Sequence, residues 1–222
     1  MTLAIRSDRP LCTGCLLRRL GMTTHGEVGP FSGQISSIHY ERGQVVPPHC
    51  ASSSFVMIRN GLLKVEVSNE AGEPGVAGFL FPGEPVVTNT LFRSAIVSAL
   101  EPTTFCILDL KTVAHLPDRS GSMFCAVIEE LSAQAAYDQQ RLIEARIGKV
   151  RDRMLRFLEQ IEQRSGKRSI TLSMSRDDIA HYLDTTPESV SRAISQLTRE
   201  GVIERNGPRH FRMIEQKRSL AS

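Results

Sequence analysis

The chain has 222 residues, of which 41% are hydrophobic and 23% charged, and its formal net charge is +3. This length suits one or two domains with a sizeable core, and the absence of a long apolar run or a secretory segment predicts a cytoplasmic protein without membrane contact. Five cysteines in such a protein are expected to be reduced, metal-bound or redox-active rather than paired in structural disulfides.

Residues 1–30 form a cysteine-containing segment with little periodicity. Cys12 and Cys15 are separated by two residues, and two thiolates at this spacing suit a metal ion or an iron–sulfur cluster. We therefore treat this segment as separate from the domain that follows it.

Residues 31–119 are predicted to form a β-roll domain of the jelly-roll type. Short β-rich stretches, such as Ser54 to Ile58 and Leu62 to Val67, alternate with glycine- and proline-rich turns, such as Pro82-Gly83-Glu84-Pro85. Many short strands at regular spacing indicate a roll or barrel, and we find no strand–helix alternation of the kind that a parallel α/β sheet requires.

Residues 120–148 are predicted to form a dimerisation helix, because mostly apolar residues recur there at spacings of three and four, as in the seam of a coiled coil. The predicted seam consists of Ile128, Leu131, Ala135, Asp138 and Leu142. One seam position is thus a carboxylate, and two facing carboxylates in an apolar seam would repel each other and resist desolvation. Alternatively, Asp138 faces solvent beside the seam. Cys125, on the same helix, is expected to be a small buried residue.

Residues 149–222 are predicted to form a winged helix-turn-helix domain. Ser175 followed three residues later by Asp178 indicates a capped helix start, and Thr186 followed by Pro187 indicates a second one. Val190, Ala193, Ile194 and Leu197 share one apolar stripe of this second helix. After it, Asn206-Gly207 is a hairpin-turn signal between two apolar stretches, which predicts the wing.

The polar side chains of the second helix suit contact with DNA bases. Arginine pairs with guanine, glutamate accepts a hydrogen bond from cytosine, and serine meets bases or phosphate. Residues 148–222 carry 15 Lys and Arg against 10 Asp and Glu, as attraction to phosphate predicts. The predicted DNA-contacting residues are Ser175, Arg176, Thr186, Glu188, Ser189, Ser191 and Arg192.

The order of β-roll, long helix and winged helix resembles the Crp/Fnr superfamily of bacterial transcription regulators, and the resemblance covers nearly the whole chain. Residues 186–192 look like the recognition motif of its Fnr branch, and residues 174–179 look like the preceding helix. The resemblance implies a mixed α+β fold and a homodimer that binds double-stranded DNA and works with RNA polymerase. It further implies that Glu188, Ser191 and Arg192 read TTGAT half-sites. Asp138 matches an acidic residue that keeps cluster-free Fnr proteins monomeric.

The cysteines partly match the motif that holds an iron–sulfur cluster of the 4Fe-4S type in Fnr proteins. Cys12 and Cys15 resemble its start, and Cys106 matches its distant ligand, whereas Gly21 occupies the position of the third cysteine. The residues that could replace this ligand by type are Cys50, His25 and His49. A cluster with a substitute ligand, a regulator without a cluster, a thiol switch and cysteines without a sensing role all remain open.

Two other signals and one other class of protein are further alternatives. Arg93-Ser94 superficially resembles the pair that holds a cyclic phosphate, but Val87-Thr88 stands where that site needs a Gly-Glu pair. Histidine and cysteine are available for haem, although no spacing singles out an axial pair. An enzyme is not expected, because we find no phosphate loop, nucleophile elbow or paired-histidine metal motif.

Overall fold

The structure is a computed structural model, and it describes residues 35–47, 54–68, 72–86, 95–109, 111, 120–144, 147–165 and 168–214. The chain divides into two compact units, Met1–Val65 with Phe79–Tyr137 and Glu66–Gly78 with Asp138–Ser222. Among the described residues, no helix is both long and apolar enough to cross a membrane.

In the described part of the chain, seven short strands precede the long helix of residues 120–144, as the sequence predicts. They are β1 (Ile35–Tyr40), β2 (Ser54–Asn60), β3 (Leu63–Ser68), β4 (Pro74–Leu80), β5 (Pro85–Val86), β6 (Ile96–Ala99) and β7 (Thr103–Asp109). One sheet has the order β1-β7-β2-β5 and another the order β4-β3-β6. Both β1 and β2 pair antiparallel with β7. Nonlocal antiparallel pairing of this kind confirms the expected sheet-rich N-terminal part.

The apolar residues of these strands form one core cluster. Every second residue of a strand points to the same face, so the inward positions of several strands meet between the sheets. Phe105 and Leu63 are fully buried, and the ring of Tyr40 packs edge-on against Phe105 at 5.5 Å between centroids. The other buried members are Val46, Val56, Ile58, Val65, Val86, Val97 and Ala99.

Two turns between strands show why their residues are needed. Gly61 has φ +96, and an added Cβ would lie 2.2 Å from the Thr103 Oγ1, so both the backbone and the space require glycine. At the turn of residues 82–85, the Glu84 amide donates to the Phe81 carbonyl at 3.1 Å. The buried Glu84 carboxylate in turn accepts from the Phe81 amide at 2.8 Å. This carboxylate therefore has a structural role in the turn.

Helix α1 (Ser120–Glu144) begins where the sequence predicts and ends before the expected residue 148. Val127 is buried, whereas Ile128, Ala135 and Asp138 are exposed. The prediction that Cys125 is buried is wrong, because its side chain is exposed. Two residues along a helix correspond to a rotation of about 200°, so Cys125 lies on the face opposite Val127.

The C-terminal elements form a helical layer beside a small sheet, which confirms the expected mixed α+β fold. They are α2 (Val150–Ser165), β8 (Ser169–Thr171), α3 (Arg176–Tyr182), α4 (Pro187–Arg199), β9 (Ile203–Arg205) and β10 (His210–Met213). The sheet has the order β8-β10-β9 and is antiparallel. Its core contains fully buried side chains from three helices and the sheet, namely Met154, Leu158, Ile179, Val190, Leu197 and Phe211.

Candidate nucleic-acid interface

A capping box starts helix α3, as the sequence predicts. The Ser175 Oγ accepts a hydrogen bond from the Asp178 amide at 2.9 Å, and the Ser175 amide donates to the Asp178 Oδ2 at 2.9 Å. These two bonds satisfy amides that the first helical turn leaves without carbonyl partners. Ser175 is therefore a helix cap, and its predicted DNA contact would have to be an additional role.

The connection between α3 and α4 is compact because one residue adopts a left-handed conformation. Asp184 has φ 50, a region that aspartate enters more readily than most other residues. The next amide, that of Thr185, donates back to the Ala180 carbonyl at 2.9 Å, and Leu183 is buried below the turn. The sequence located this break between the helices but did not indicate the left-handed residue.

Helix α4 starts with the predicted cap. Thr186 has an extended backbone, and its Oγ1 accepts from the Ser189 amide at 3.3 Å. Pro187 occupies the first helical position, where the missing amide proton removes no helical hydrogen bond. Glu188 lies in the first turn, where the positive end of the helix favours a carboxylate.

The two faces of α4 differ sharply in exposure. The apolar stripe predicted from the sequence, Val190, Ala193, Ile194 and Leu197, is at most 4% exposed. Glu188, Ser191 and Arg192 are exposed, and Ser189 is half-buried. The structure thus places the predicted base-reading side chains together on the solvent side, near the helix N-terminus. Glu188 also forms no ion pair with the described residues, so its carboxylate oxygens are available to a ligand.

A chain of hydrogen bonds links three polar side chains at this end of α4. The Thr186 hydroxyl donates to the Ser189 Oγ at 3.0 Å, and the Arg192 Nη2 donates to the same oxygen at 2.9 Å. Thr186 and Ser189 were predicted as DNA contacts. In the protein without DNA, their hydroxyl oxygens already bind the helix start and the guanidinium of Arg192.

The wing is present, but its loop is longer than the predicted Asn-Gly turn. Strands β9 and β10 pair with Arg205 opposite Phe211, and the Asn206 amide donates to the His210 carbonyl at 2.9 Å. A two-residue Asn-Gly turn needs positive φ at both residues, and neither Asn206 nor Gly207 is among the described residues with positive φ. The loop instead runs through Pro208, whose φ cannot become positive.

Three arginines form a positive patch between α3 and the wing, namely Arg176, Arg205 and Arg209. The guanidinium of Arg176 lies 5.7 Å from the Phe211 ring centroid, and its Nη2 donates to the Pro208 carbonyl at 3.1 Å. Burial, together with the positive charges of Arg205 and Arg209, lowers the pKa of Arg176. The sequence predicted a DNA contact for Arg176 but not for Arg205 and Arg209, although their positions on either side of the turn are a usable signal.

Two arginines in the first turns of α2 hold the C-terminal ends of the other helices. The Arg151 Nε and Nη2 donate to the Glu200 Oε2 at 3.0 and 2.5 Å, and Arg153 donates to the Leu183 carbonyl at the end of α3. The hydrogen bond from Arg151 lowers the pKa of Glu200, which also accepts from Gln196 at 2.8 Å. Sequence reasoning missed this link, because 49 residues separate Arg151 from Glu200.

Of the predicted cluster ligands, only Cys106 falls in the described part of the chain. It is half-buried on β7, opposite Ser37 of β1 and Met57 of β2. The other cluster candidates, Cys12, Cys15, Gly21, His25, His49 and Cys50, lie outside the described residues, as do Val87-Thr88 and Arg93-Ser94. Within the described residues, no three His, Cys, Asp or Glu side chains are grouped closely enough to hold a metal ion.

Comparisons with known proteins agree with this geometry. A family model described as a Crp-like helix-turn-helix domain matches residues 152–221. The transcriptional regulatory protein btr of Bordetella pertussis is 30% identical over 166 residues, which are 71% of this chain and 68% of that protein. The transcriptional activator protein anr of Pseudomonas aeruginosa is 28% identical over 164 residues, which are 69% of this chain and 66% of that protein.

The fold has a counterpart among solved structures. The structure of FixK2 from Bradyrhizobium japonicum superposes with a TM-score of 0.65 at 19% identity, covering 83% of this chain and 94% of that one. At this identity the likeness shows a shared fold, and the curated relatives show the family. The relatives are transcription regulators rather than enzymes. The chain belongs to the Crp/Fnr family of DNA-binding transcription regulators.

Proposed function

We propose that the protein binds two-fold symmetric DNA sites with TTGAT-like half-sites and that Glu188, Ser191 and Arg192 read the base edges. One observation carries this proposal. These three side chains are exposed at the N-terminal end of α4, and the opposite face of the helix is buried. Residues three and four apart lie on the same side of a helix, so the three side chains can enter one major groove together.

The surroundings of α4 supply the charge that such a complex needs. Arg176, Arg205 and Arg209 lie close enough for their charges to interact, and Arg205 and Arg209 are exposed. We assign these three arginines to phosphate contacts, which position a protein on the duplex without reading its sequence. Under the same proposal, Ser175 and Thr186 remain helix caps and lie near the DNA backbone in the complex.

The test compares purified protein on a TTGAT palindrome and on a scrambled duplex of equal length, at several salt concentrations. Tighter binding to the palindrome at moderate salt and a fall in affinity with rising salt are expected, because phosphate contacts release counterions. Equal affinity for both duplexes would contradict base reading by α4.

We further propose that the binding species is a homodimer joined through α1, within the domain division 1–30, 31–119, 120–148 and 149–222. Ile128 is 62% exposed and Ala135 is exposed, so apolar positions of the predicted seam are accessible to a second copy. Leu131 is half-buried, and the Leu142 side chain lies outside the described ones. As part of the same proposal, the protein acts in the cytoplasm, where a bacterial operator lies, and RNA polymerase is its partner there.

Asp138→Ala should strengthen dimerisation of the protein without its effector. In the single chain Asp138 is exposed, and in the proposed seam it would face a second carboxylate of its own kind. Removing both charges removes their repulsion and their desolvation cost. Sedimentation over a range of concentrations measures the change, with the exposed neighbour Gln139→Ala as the control. An unchanged or weaker dimer for Asp138→Ala would place this carboxylate outside the seam.

For the signal, we propose redox or oxygen control through an iron–sulfur cluster of the 4Fe-4S type. The donor set supports it in part, since Cys12, Cys15 and Cys106 offer three thiolates and Cys106 is held half-buried on a strand. Gly21 has no side chain to serve as the fourth ligand, so Cys50 or a nearby histidine would have to take that place. The second candidate is a regulator without a cluster, in which Cys12 and Cys15 act as a thiol switch.

Anaerobic reconstitution, followed by visible spectroscopy and assays for iron and sulfide, separates these two candidates. A cluster should be lost in Cys12→Ala, Cys15→Ala and Cys106→Ala and kept in the control Cys125→Ala, because the exposed Cys125 is not among the proposed ligands. Gly21→Cys should slow its loss in air, since a fourth thiolate binds iron more firmly than an exchangeable ligand. A protein without iron that still binds its operator would contradict the cluster and leave the thiol switch.

A further inference from the structure

We propose that Ser189 is a positioning residue for Arg192 and thereby sets how strongly the protein discriminates guanine. Its hydroxyl oxygen holds the guanidinium in place on the free protein, before DNA binds. This inference rests on the proposed function, because it assumes that Arg192 reads a base. It assigns Ser189 a role other than the direct base or phosphate contact expected from its place in the helix.

The geometry of the first turn of α4 supports this role. The Arg192 Nη2 donates to the Ser189 Oγ at 2.9 Å, across one turn of the helix. The same oxygen accepts from the Thr186 hydroxyl at 3.0 Å, and the Thr186 Oγ1 accepts from the Ser189 amide at 3.3 Å. Thr186 is the helix cap, so the guanidinium is connected through Ser189 to the start of the helix.

The exposure of the two side chains shows why the hydrogen bond matters. Ser189 is half-buried, whereas Arg192 is exposed and forms no other hydrogen bond or ion pair with the described residues. A long exposed arginine otherwise loses rotamer entropy when a ligand orders it. Holding it beforehand reduces that cost and favours one orientation of its planar group.

The bond to Ser189 also leaves the guanidinium able to pair with a base. Arginine has five N–H donors in a fixed fork, and Ser189 engages one of them. The remaining donors still include a pair that matches the O6 and N7 of guanine. Ser189 accepts two hydrogen bonds from the protein, so what it can still offer a ligand is its own O–H.

Another serine of the helix provides a matched control. The Ser195 hydroxyl is exposed on α4 and donates to the Ser191 carbonyl at 3.0 Å, so it binds the helix backbone and no guanidinium. Ser195→Ala and Ser189→Ala therefore make the same chemical change on the same helix, and only Ser189→Ala releases Arg192.

The experiment is a double-mutant cycle read on two duplexes. Wild type, Ser189→Ala, Arg192→Ala and the double variant are titrated with the operator and with a duplex in which the guanine pair of each half-site is replaced by adenine and thymine. Ser189→Ala should weaken operator binding about threefold to tenfold, which is the range expected for the net contribution of a typical hydrogen bond. It should change binding to the altered duplex little and add nothing in the Arg192→Ala background. Ser189→Thr, which keeps the hydroxyl, should restore discrimination, and Ser195→Ala should match wild type.

A second measurement needs no DNA. Relaxation of the Arg192 side-chain Nε–H group by NMR should show restricted motion in wild type and faster, wider motion in Ser189→Ala. Circular dichroism of both proteins checks that the helix is intact.

The outcomes separate this role from the proposed function. If wild type binds the two duplexes equally, base reading fails and the role of Ser189 fails with it. If wild type discriminates and Ser189→Ala discriminates equally well, or loses affinity equally in the Arg192→Ala background, Ser189 is not the positioning residue and base reading stands.

Discussion

Arg192→Ala is expected to weaken operator binding by about 1–3 kcal/mol per half-site and to relax the preference at one guanine. The guanidinium is exposed on the solvent face of α4 and is held by Ser189 at 2.9 Å, so its removal takes away the proposed base contact without opening the core. Because the proposed dimer would present two such helices, the loss should appear in both half-sites. Titration of the operator and of single-base variants measures it.

The control for this prediction is Arg199→Ala. Arg199 is also exposed on α4 but lies in the last turn, away from the end proposed to enter the groove. Arg199→Ala should reduce the salt dependence of DNA binding slightly at most and should leave the sequence preference unchanged. If Arg192→Ala weakens operator and scrambled duplex by the same factor, Arg192 contacts phosphate and some other residue reads the base.

Phe211→Ala is expected to cost about 3–5 kcal/mol of unfolding free energy, a large share of the roughly 5–15 kcal/mol that folded proteins have in total. The ring is fully buried on β10, the central strand of the β8-β10-β9 sheet. Its loss leaves a cavity and also removes the ring beneath the Arg176 guanidinium, whose centre lies 5.7 Å from the ring centroid. Urea unfolding, followed by fluorescence or circular dichroism, measures the effect.

Two further variants separate packing from the arginine contact. Arg212→Ala, on the same strand but exposed, should change stability by less than about 1 kcal/mol. Phe211→Leu should keep most of the stability but lose the aromatic ring against which the Arg176 guanidinium lies. A loss of salt-dependent DNA affinity in this variant would therefore indicate that the ring positions Arg176. A Phe211→Ala protein as stable as wild type would show that β10 is not part of the core of this unit.

The helix-turn-helix was predictable from the sequence because its signals are local. The Ser175–Asp178 box, the Thr186 cap and the Pro187 start act between residues at most three apart, and the structure shows each of them. The apolar stripe of α4 follows from the helical period alone, and so does the exposure of Glu188, Ser191 and Arg192 on the other face. Strand positions in the β-roll followed in the same way from alternation and from the turn residues between them.

The tertiary structure decided what depends on residues distant in the chain. The Arg151–Glu200 pair joins residues 49 positions apart, and Arg176 meets Phe211 only because the wing folds back beside α3. Cys125 proved exposed because the rotation of α1 depends on packing, which the period of a sequence does not contain. The wing kept its predicted position but not its predicted turn, since Pro208 and the cross-strand register overrode the Asn-Gly signal. Helix caps and the hydrophobic period depend only on residues close in the sequence, so the sequence predicts them. Pairing partners and side-chain exposure depend on contacts that form only when the whole unit packs.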